Sequence, residues 1–145
     1  MYCAYCGRHR VSLFSSAEYG QSRRLLHTVS VFANMPSMAF AVEYFHERVL
    51  AEIESWPVDV VADYARLVEL VAEYGPSLRL PHSRALGDGL FELRPRGRSS
   101  TGRAFYCFML GKRIVVLHAF IKKTQHTPDR ELTLARTRLK RLQDG

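Results

Sequence analysis

LFELRPRGRSSTGRAFYCFMLGKRIVVLHAFIKK, residues 90–123, decides the fold. Its first run alternates, so Phe91 and Leu93 point one way while Glu92 and Arg94 point the other. GRSSTG connects this run to RAFYCFML. Gly111-Lys112 then makes a tight hairpin turn into RIVVLHAFIKK, a run rich in β-branched and aromatic residues. The spacing predicts a meander of three antiparallel strands. Cys107 falls inside the second strand among apolar neighbours and reads as a core residue, as does His118 in the third.

Upstream, AFAVEYF (39–45) reads as a short strand. HERVLAEIESW (46–56) reads as a helix with Val49, Leu50 and Ile53 on one face, stopped by Pro57. VDVVADYARLVELVAEYG (58–75) is the clearest helix, with Val60, Val61, Tyr64, Leu67, Val68 and Val71 as its apolar stripe and Gly75-Pro76 as its stop. So little chain separates the two helices that they form an antiparallel hairpin. LRLPHSRALGDG (78–89) reads as loop. Downstream, Thr127 suits an N-cap and Pro128 a first turn, and Asp129 and Glu131 favour the helix's positive end. That last helix, residues 129–143, sets Leu132, Ala135, Leu139 and Leu142 near one face. The predicted class is α+β: a helical hairpin packed on a small antiparallel sheet, made of a short N-terminal strand plus the three-stranded meander, with a C-terminal helix.

Residues 1–37 lack either period. They read as an N-terminal extension, either disordered or lying upstream of a natural start near Met35 or Met38, and the folded domain spans 38–145. Cys3-x-x-Cys6 with His9 nearby could be half of a zinc site, but no second Cys pair completes it, so no metal is expected. Three cysteines, an odd number, argue against a disulfide framework and fit a reducing cytoplasm. No apolar run approaches the roughly 20 residues of a membrane span.

Charge is strongly segregated. Residues 1–38 carry +3, residues 39–83 carry −5 and residues 84–145 carry +9, within a net +7. This asymmetry suggests either a polyanion on one face, usually nucleic acid, or a solvated basic surface. No phosphate-cradling glycine loop, zinc-protease motif or nucleophile elbow is present. What remains is a set of bases on the meander. The end of its first strand and the end of its third both lie near the start of its second. Arg94, Arg103, Lys122 and Lys123 therefore converge at one end of the sheet. Clustered Arg and Lys bind phosphate. Tyr106, on the middle strand, either stacks a base, carries a proton or packs in the sheet. His126, in the polar turn beyond the lysines, is an imidazole suited to acid–base work. Arg96, Arg98, Lys112 and Arg113 extend the basic surface offered to a nucleic-acid strand.

The ordered pieces E-L-R (92–94), R-x-F-Y (103–106), L-H-A-F-x-K-K-T (117–124) and T-P-x-x-E (127–131) resemble the RelE/ParE superfamily of bacterial toxins, in particular its phage-derived HigB-like branch. The resemblance spans roughly residues 39–143. It implies a RelE-like fold and a cytoplasmic, ribosome-dependent endoribonuclease. It also implies that a helix-turn-helix, HigA-like antitoxin silences the enzyme in a toxin–antitoxin hetero-oligomer. The chemistry implied is attack of a ribose 2′-OH on its adjacent phosphate in mRNA, without metal or cofactor. Arg94 and Arg103 would steady the phosphorane, a lysine (Lys122 or Lys123) or His126 would take the proton, and Tyr106 or His126 would return one. Many relatives carry lysine where this chain has His126. Two other readings share the fold: a ParE-type inhibitor that binds DNA gyrase without cutting nucleic acid, and an inactive phage accessory protein that binds nucleic acid.

Overall fold

A computed structural model describes residues 40–123 and 128–145, together with two short upstream strands, β1 (Ser12–Leu13) and β2 (Val29–Ser30), that pair antiparallel. Cys3, Cys6, His9, His126 and the Thr127 cap lie outside the described residues. From residue 40 the order is β3 (Ala41–Tyr44), α1 (Glu47–Glu54), α2 (Val58–Tyr74), β4 (Ser83–Gly87), β5 (Leu90–Leu93), β6 (Thr101–Met109), β7 (Arg113–Lys122) and α3 (Asp129–Asp144). Among the described residues no helix is long and apolar enough to cross a membrane.

The helices form for the reasons their sequences advertise. His46 sits in extended backbone before α1 and its Nδ1 accepts the Arg48 amide at 3.1 Å, an N-cap. Val49 and Ile53 of α1 are buried, as are Val60, Tyr64, Leu67, Val68 and Val71 along α2. The antiparallel meander is likewise present, with Leu93 opposite Ala104 and Thr101 opposite Lys122.

Two expectations are corrected. The sheet is mixed and five-stranded, in the order β3-β7-β6-β5-β4, because β3 pairs parallel with β7. A parallel pair needs a long crossover, and the chain between β3 and β7 supplies one. The second correction is β4, which forms within the stretch read as loop and extends the meander to four strands. Its sequence, SRALG, has neither β-branched nor aromatic residues. Pairing with β5, not propensity, makes it a strand.

The sheet separates two layers. On one face, Val42, Tyr44, Leu93, Ala104, Tyr106, Ile114, Val116 and Ala119 meet the buried stripes of α1 and α2. On the other, Leu90, Phe105, Cys107, Val115 and Leu117 meet Ala135 and Leu139 of α3. A bulge interrupts β7, where Phe105 pairs with His118 but Tyr106 pairs with Val116, leaving Leu117 without a partner on β6. The extra residue resets the alternation. His118, Phe120 and Lys122 consequently share the α3 face with Val115 and Leu117.

β4 is held to the core by the Ser83 and Tyr106 hydroxyls, 2.7 Å apart and both buried. Ser83→Ala leaves the Tyr106 hydroxyl buried without this partner and should lower unfolding free energy by about 1–3 kcal/mol. Urea denaturation measures it, and an unchanged midpoint would count against this bond.

Candidate functional site

At one end of the α3 face three strands deliver cations to one place. Arg94 directly follows β5 and, continuing the register, lies opposite Arg103 of β6, which in turn pairs with Phe120 of β7. One row further out, Arg96 bridges to Thr101, which pairs with Lys122. Arg94, Arg96, Arg103 and Lys122 thus form two adjacent rows. Glu92 organises the first: its carboxylate lies 3.0 Å from Arg103 Nε and 3.2 Å from Arg94 Nε. Glu92 is 3% exposed and Arg103 6%. Burying charges this deeply is tolerable only when they are paired.

The pairing is electrostatic more than hydrogen-bonded. Neither Arg94 Nε nor Arg103 Nε has a hydrogen-bond partner among the described residues, although both atoms are buried. Arg103 Nη1 donates to the Gly102 carbonyl at 2.7 Å, which fixes the guanidinium. Burial lowers the Arg103 pKa; Glu92 opposes the shift, and Arg94 and Arg96 add to it. Burial, and then the Arg103 charge, likewise bring Lys122 below the ordinary lysine value. Three cations around one carboxylate leave an excess of positive charge that suits an oxyanion with several acceptor oxygens.

Other residues singled out in the sequence fall elsewhere. Tyr106 is 1% exposed on the opposite face, stacked on Phe91, and burial pushes its hydroxyl up to about 12. Arg113 opens β7, ten residues long and so roughly 30 Å from the Lys122 end. There it grips Glu43 with Nε–Oε1 at 2.9 Å and Nη2–Oε2 at 2.7 Å. Lys112 occupies the adjacent turn at φ 55°. Lys123 is exposed just beyond β7, and Arg98 is exposed in the β5–β6 loop. Cys107 is buried, with its thiol pushed up to about 11 by desolvation, which fits a core residue and not a nucleophile.

Sequence reasoning missed four carboxylates. Glu92 shares a face of the strand with Arg94, a usable signal for proximity but not for a bridge to Arg103. Glu131 of α3 hydrogen-bonds His118 Nε2, so His118, stacked on Phe120, is the satisfied strand histidine the sequence suggested, and the unforeseen part is that its partner joins β7 to α3. Asp59 and Asp63, one turn apart on α2, reach the β5–β6 loop. Asp63 Oδ2 accepts the Arg96 amide at 2.8 Å, and Asp59 Oδ2 accepts the Arg98 amide at 2.6 Å. Gly97 lies between them so close to α2 that a Cβ there would sit 2.6 Å from Asp59 Oδ2. Gly102 is pressed in the same way on Trp56, where a Cβ would approach the ring to 2.8 Å. Nothing in a local pattern announces carboxylates that bind amides more than thirty residues away.

A family model for the phage-derived Gp49-like proteins (DUF891) matches residues 51–140, well over half the chain, and the chain belongs to that phage-derived, toxin-like family. The matched region takes in the β5–β7 meander with Arg94, Arg96, Arg103 and Lys122. No curated protein matches the chain significantly.

Two outcomes follow from the geometry. Glu92→Ala leaves Arg103 buried without its counter-ion and should cost about 3–5 kcal/mol of stability by chemical denaturation. A loss under about 1 kcal/mol would show that the pair is not buried as described. The Arg98 amide is the first cause that lowers the Asp59 pKa below its usual 3.8. A depressed folded-state pKa stabilises above the unfolded value and is lost as pH falls through the folded one. The Arg98 amide resonance should therefore titrate with a midpoint below 3.8 in an NMR pH series.

Proposed function

We propose that this Gp49-like protein is the toxin of a type II toxin–antitoxin system and acts as a ribosome-dependent mRNA endoribonuclease. The observation that carries the reading is the meeting of Arg94, Arg103 and Lys122 from three adjacent strands at one end of the sheet. A binder of folded protein surfaces has no need for such a centre, whereas a phosphate in flight does.

In the reaction, the ribose 2′-oxygen attacks its adjacent phosphorus. The O2′–P bond forms and the P–O5′ bond breaks, giving a 2′,3′-cyclic phosphate and a 5′-hydroxyl. Arg94 and Arg103 donate to the non-bridging oxygens, where charge accumulates in the phosphorane. Lys122, its pKa lowered by burial and by Arg103, stands beside them as the group to move the 2′-OH proton. His126 remains the candidate to protonate the leaving oxygen. The Tyr106 hydroxyl is committed to Ser83 on the opposite face, so its contribution is to packing. A helix-turn-helix antitoxin that occludes the cationic face would complete a toxin–antitoxin hetero-oligomer.

The test is induction in bacteria with transcriptome-wide mapping of mRNA 5′ ends. Ribosome-phased cuts are expected, falling by roughly 10²–10³ in Lys122→Ala and Arg94→Ala. Intact mRNA with broken DNA and an SOS response would replace the nuclease with a gyrase inhibitor. Intact mRNA without either would leave an accessory nucleic-acid binder.

A further inference from the structure

The two rows of cations are not held in the same way. The inner row, Arg94 and Arg103, is fixed through the side chains by Glu92. The outer row depends on the β5–β6 loop, whose Arg96 and Arg98 side chains are exposed. Here the fixing contacts fall on the backbone. Asp63 takes the Arg96 amide and Asp59 the Arg98 amide, while the loop closes on itself through Gly97 N to Ser100 O at 2.8 Å and Gly102 N to Pro95 O at 2.9 Å. Asp63 is itself oriented by Arg66, whose Nε and Nη2 reach Oδ1 at 2.9 and 2.8 Å. Asp59 Oδ1 also accepts the Val60 amide at 3.0 Å, so its second oxygen presents a fixed direction to the loop.

This arrangement is costly for a mere surface turn. It sets two carboxylates beside a site for an anion, where each weakens the local positive field. It also brings position 97 so near α2 that a Cβ there would press on the Asp59 carboxylate and push it from the loop. What the arrangement accomplishes is geometric. Arg96 is held opposite Thr101 and Lys122, two residues along the strand from Arg94, or about 7 Å. That separation is close to the distance between neighbouring phosphates in an extended strand.

We infer that Asp59 and Asp63 are positioning residues that clamp the β5–β6 loop into a second phosphate subsite, in which Arg96 holds the phosphate next to the one at Arg94, Arg103 and Lys122. The inference rests on the nuclease reading only for the identity of the strand, single-stranded RNA. Acidic residues of α2 thus serve RNA binding although none of them touches RNA.

The experiment measures equilibrium binding of the purified full chain to a fully 2′-O-methylated single-stranded RNA dodecamer, which cannot be cleaved, across a salt series. Asp59→Ala/Asp63→Ala should weaken binding roughly tenfold and make the slope of log K against log salt shallower by about 0.7 for each phosphate that is no longer neutralised. Asp59→Asn/Asp63→Asn keeps an acceptor oxygen at each position and should hold the wild-type slope with equal or tighter affinity. Gly97→Ala, which displaces the loop with both carboxylates intact, should reproduce the alanine effect in a folded protein by circular dichroism. Wild-type affinity and slope in Gly97→Ala and in the alanine variant would overturn the inference, as would asparagine variants as weak as alanine. Wild-type protein that binds this RNA yet leaves ribosome-bound mRNA uncut would remove the nuclease reading and keep the subsite. Wild-type protein that does not bind it removes the subsite, and the nuclease reading is then judged by the mRNA 5′ ends alone.

Discussion

The site depends on one buried carboxylate. Glu92 lies between two guanidinium groups at the edge of the α3 face, and Arg103 beside it is almost fully enclosed. Removing an ion from water costs several kcal/mol, and a pair recovers that only when the geometry is good. Here the geometry is imperfect, since Glu92 stands 3.2 and 3.0 Å from the two Nε atoms yet neither makes a well-aligned hydrogen bond among the described residues. A structure optimised only for stability would place an apolar pair in this position. The retained charges hold donors in a poorly solvated setting, where interaction with an anion is stronger than it would be in water.

The segregation of charge along the chain acquires a structural sense from this. The acidic middle forms α1 and α2 and the basic last third forms the meander and α3, so the two signs occupy opposite sides of the sheet. They meet at the β5–β6 loop, where Asp59 and Asp63 each accept a backbone amide of the loop, Asp63 while also holding the Arg66 guanidinium of its own helix. Amide capture fixes the loop through its backbone and not through its side chains. Trp56 under Gly102 and Asp59 under Gly97 complete this support from the α2 side.

Most of the fold was legible because periodicity reports directly on burial. The α2 stripe, the Phe91/Leu93 against Glu92/Arg94 alternation and the apolar face of α3 are all as read. What was illegible came from pairing between distant segments. SRALG becomes β4 because β5 offers it a hydrogen-bonding edge, and β3 runs parallel to β7 because the intervening chain brings it there. The convergence of Arg94, Arg103 and Lys122 followed from topology and could be foreseen. The separation of Tyr106 and Arg113 from them could not, because proximity in a motif conceals which face, or which end, of a strand a side chain occupies.

The β7 bulge ties placement of the site to docking of α3. Strict alternation from Val115 and Leu117 would send Lys122 to the face covered by α1 and α2. The unpartnered Leu117 shifts the phase, and Lys122 arrives beside Arg103. A bulge leaves backbone groups outside the ladder, and a buried carbonyl needs a donor. The Leu117 carbonyl receives Arg138 Nη1 at 2.6 Å, and that same guanidinium lies over the Phe45 ring. One residue on, His118 meets Glu131 from the first turn of α3. With only Ala135 and Leu139 fully buried, α3 has a narrow apolar seam and depends on these polar contacts for its seat. The irregularity that turns Lys122 toward Arg103 therefore also creates the contacts that hold the helix beside it, so that strand phase and helix position are set together.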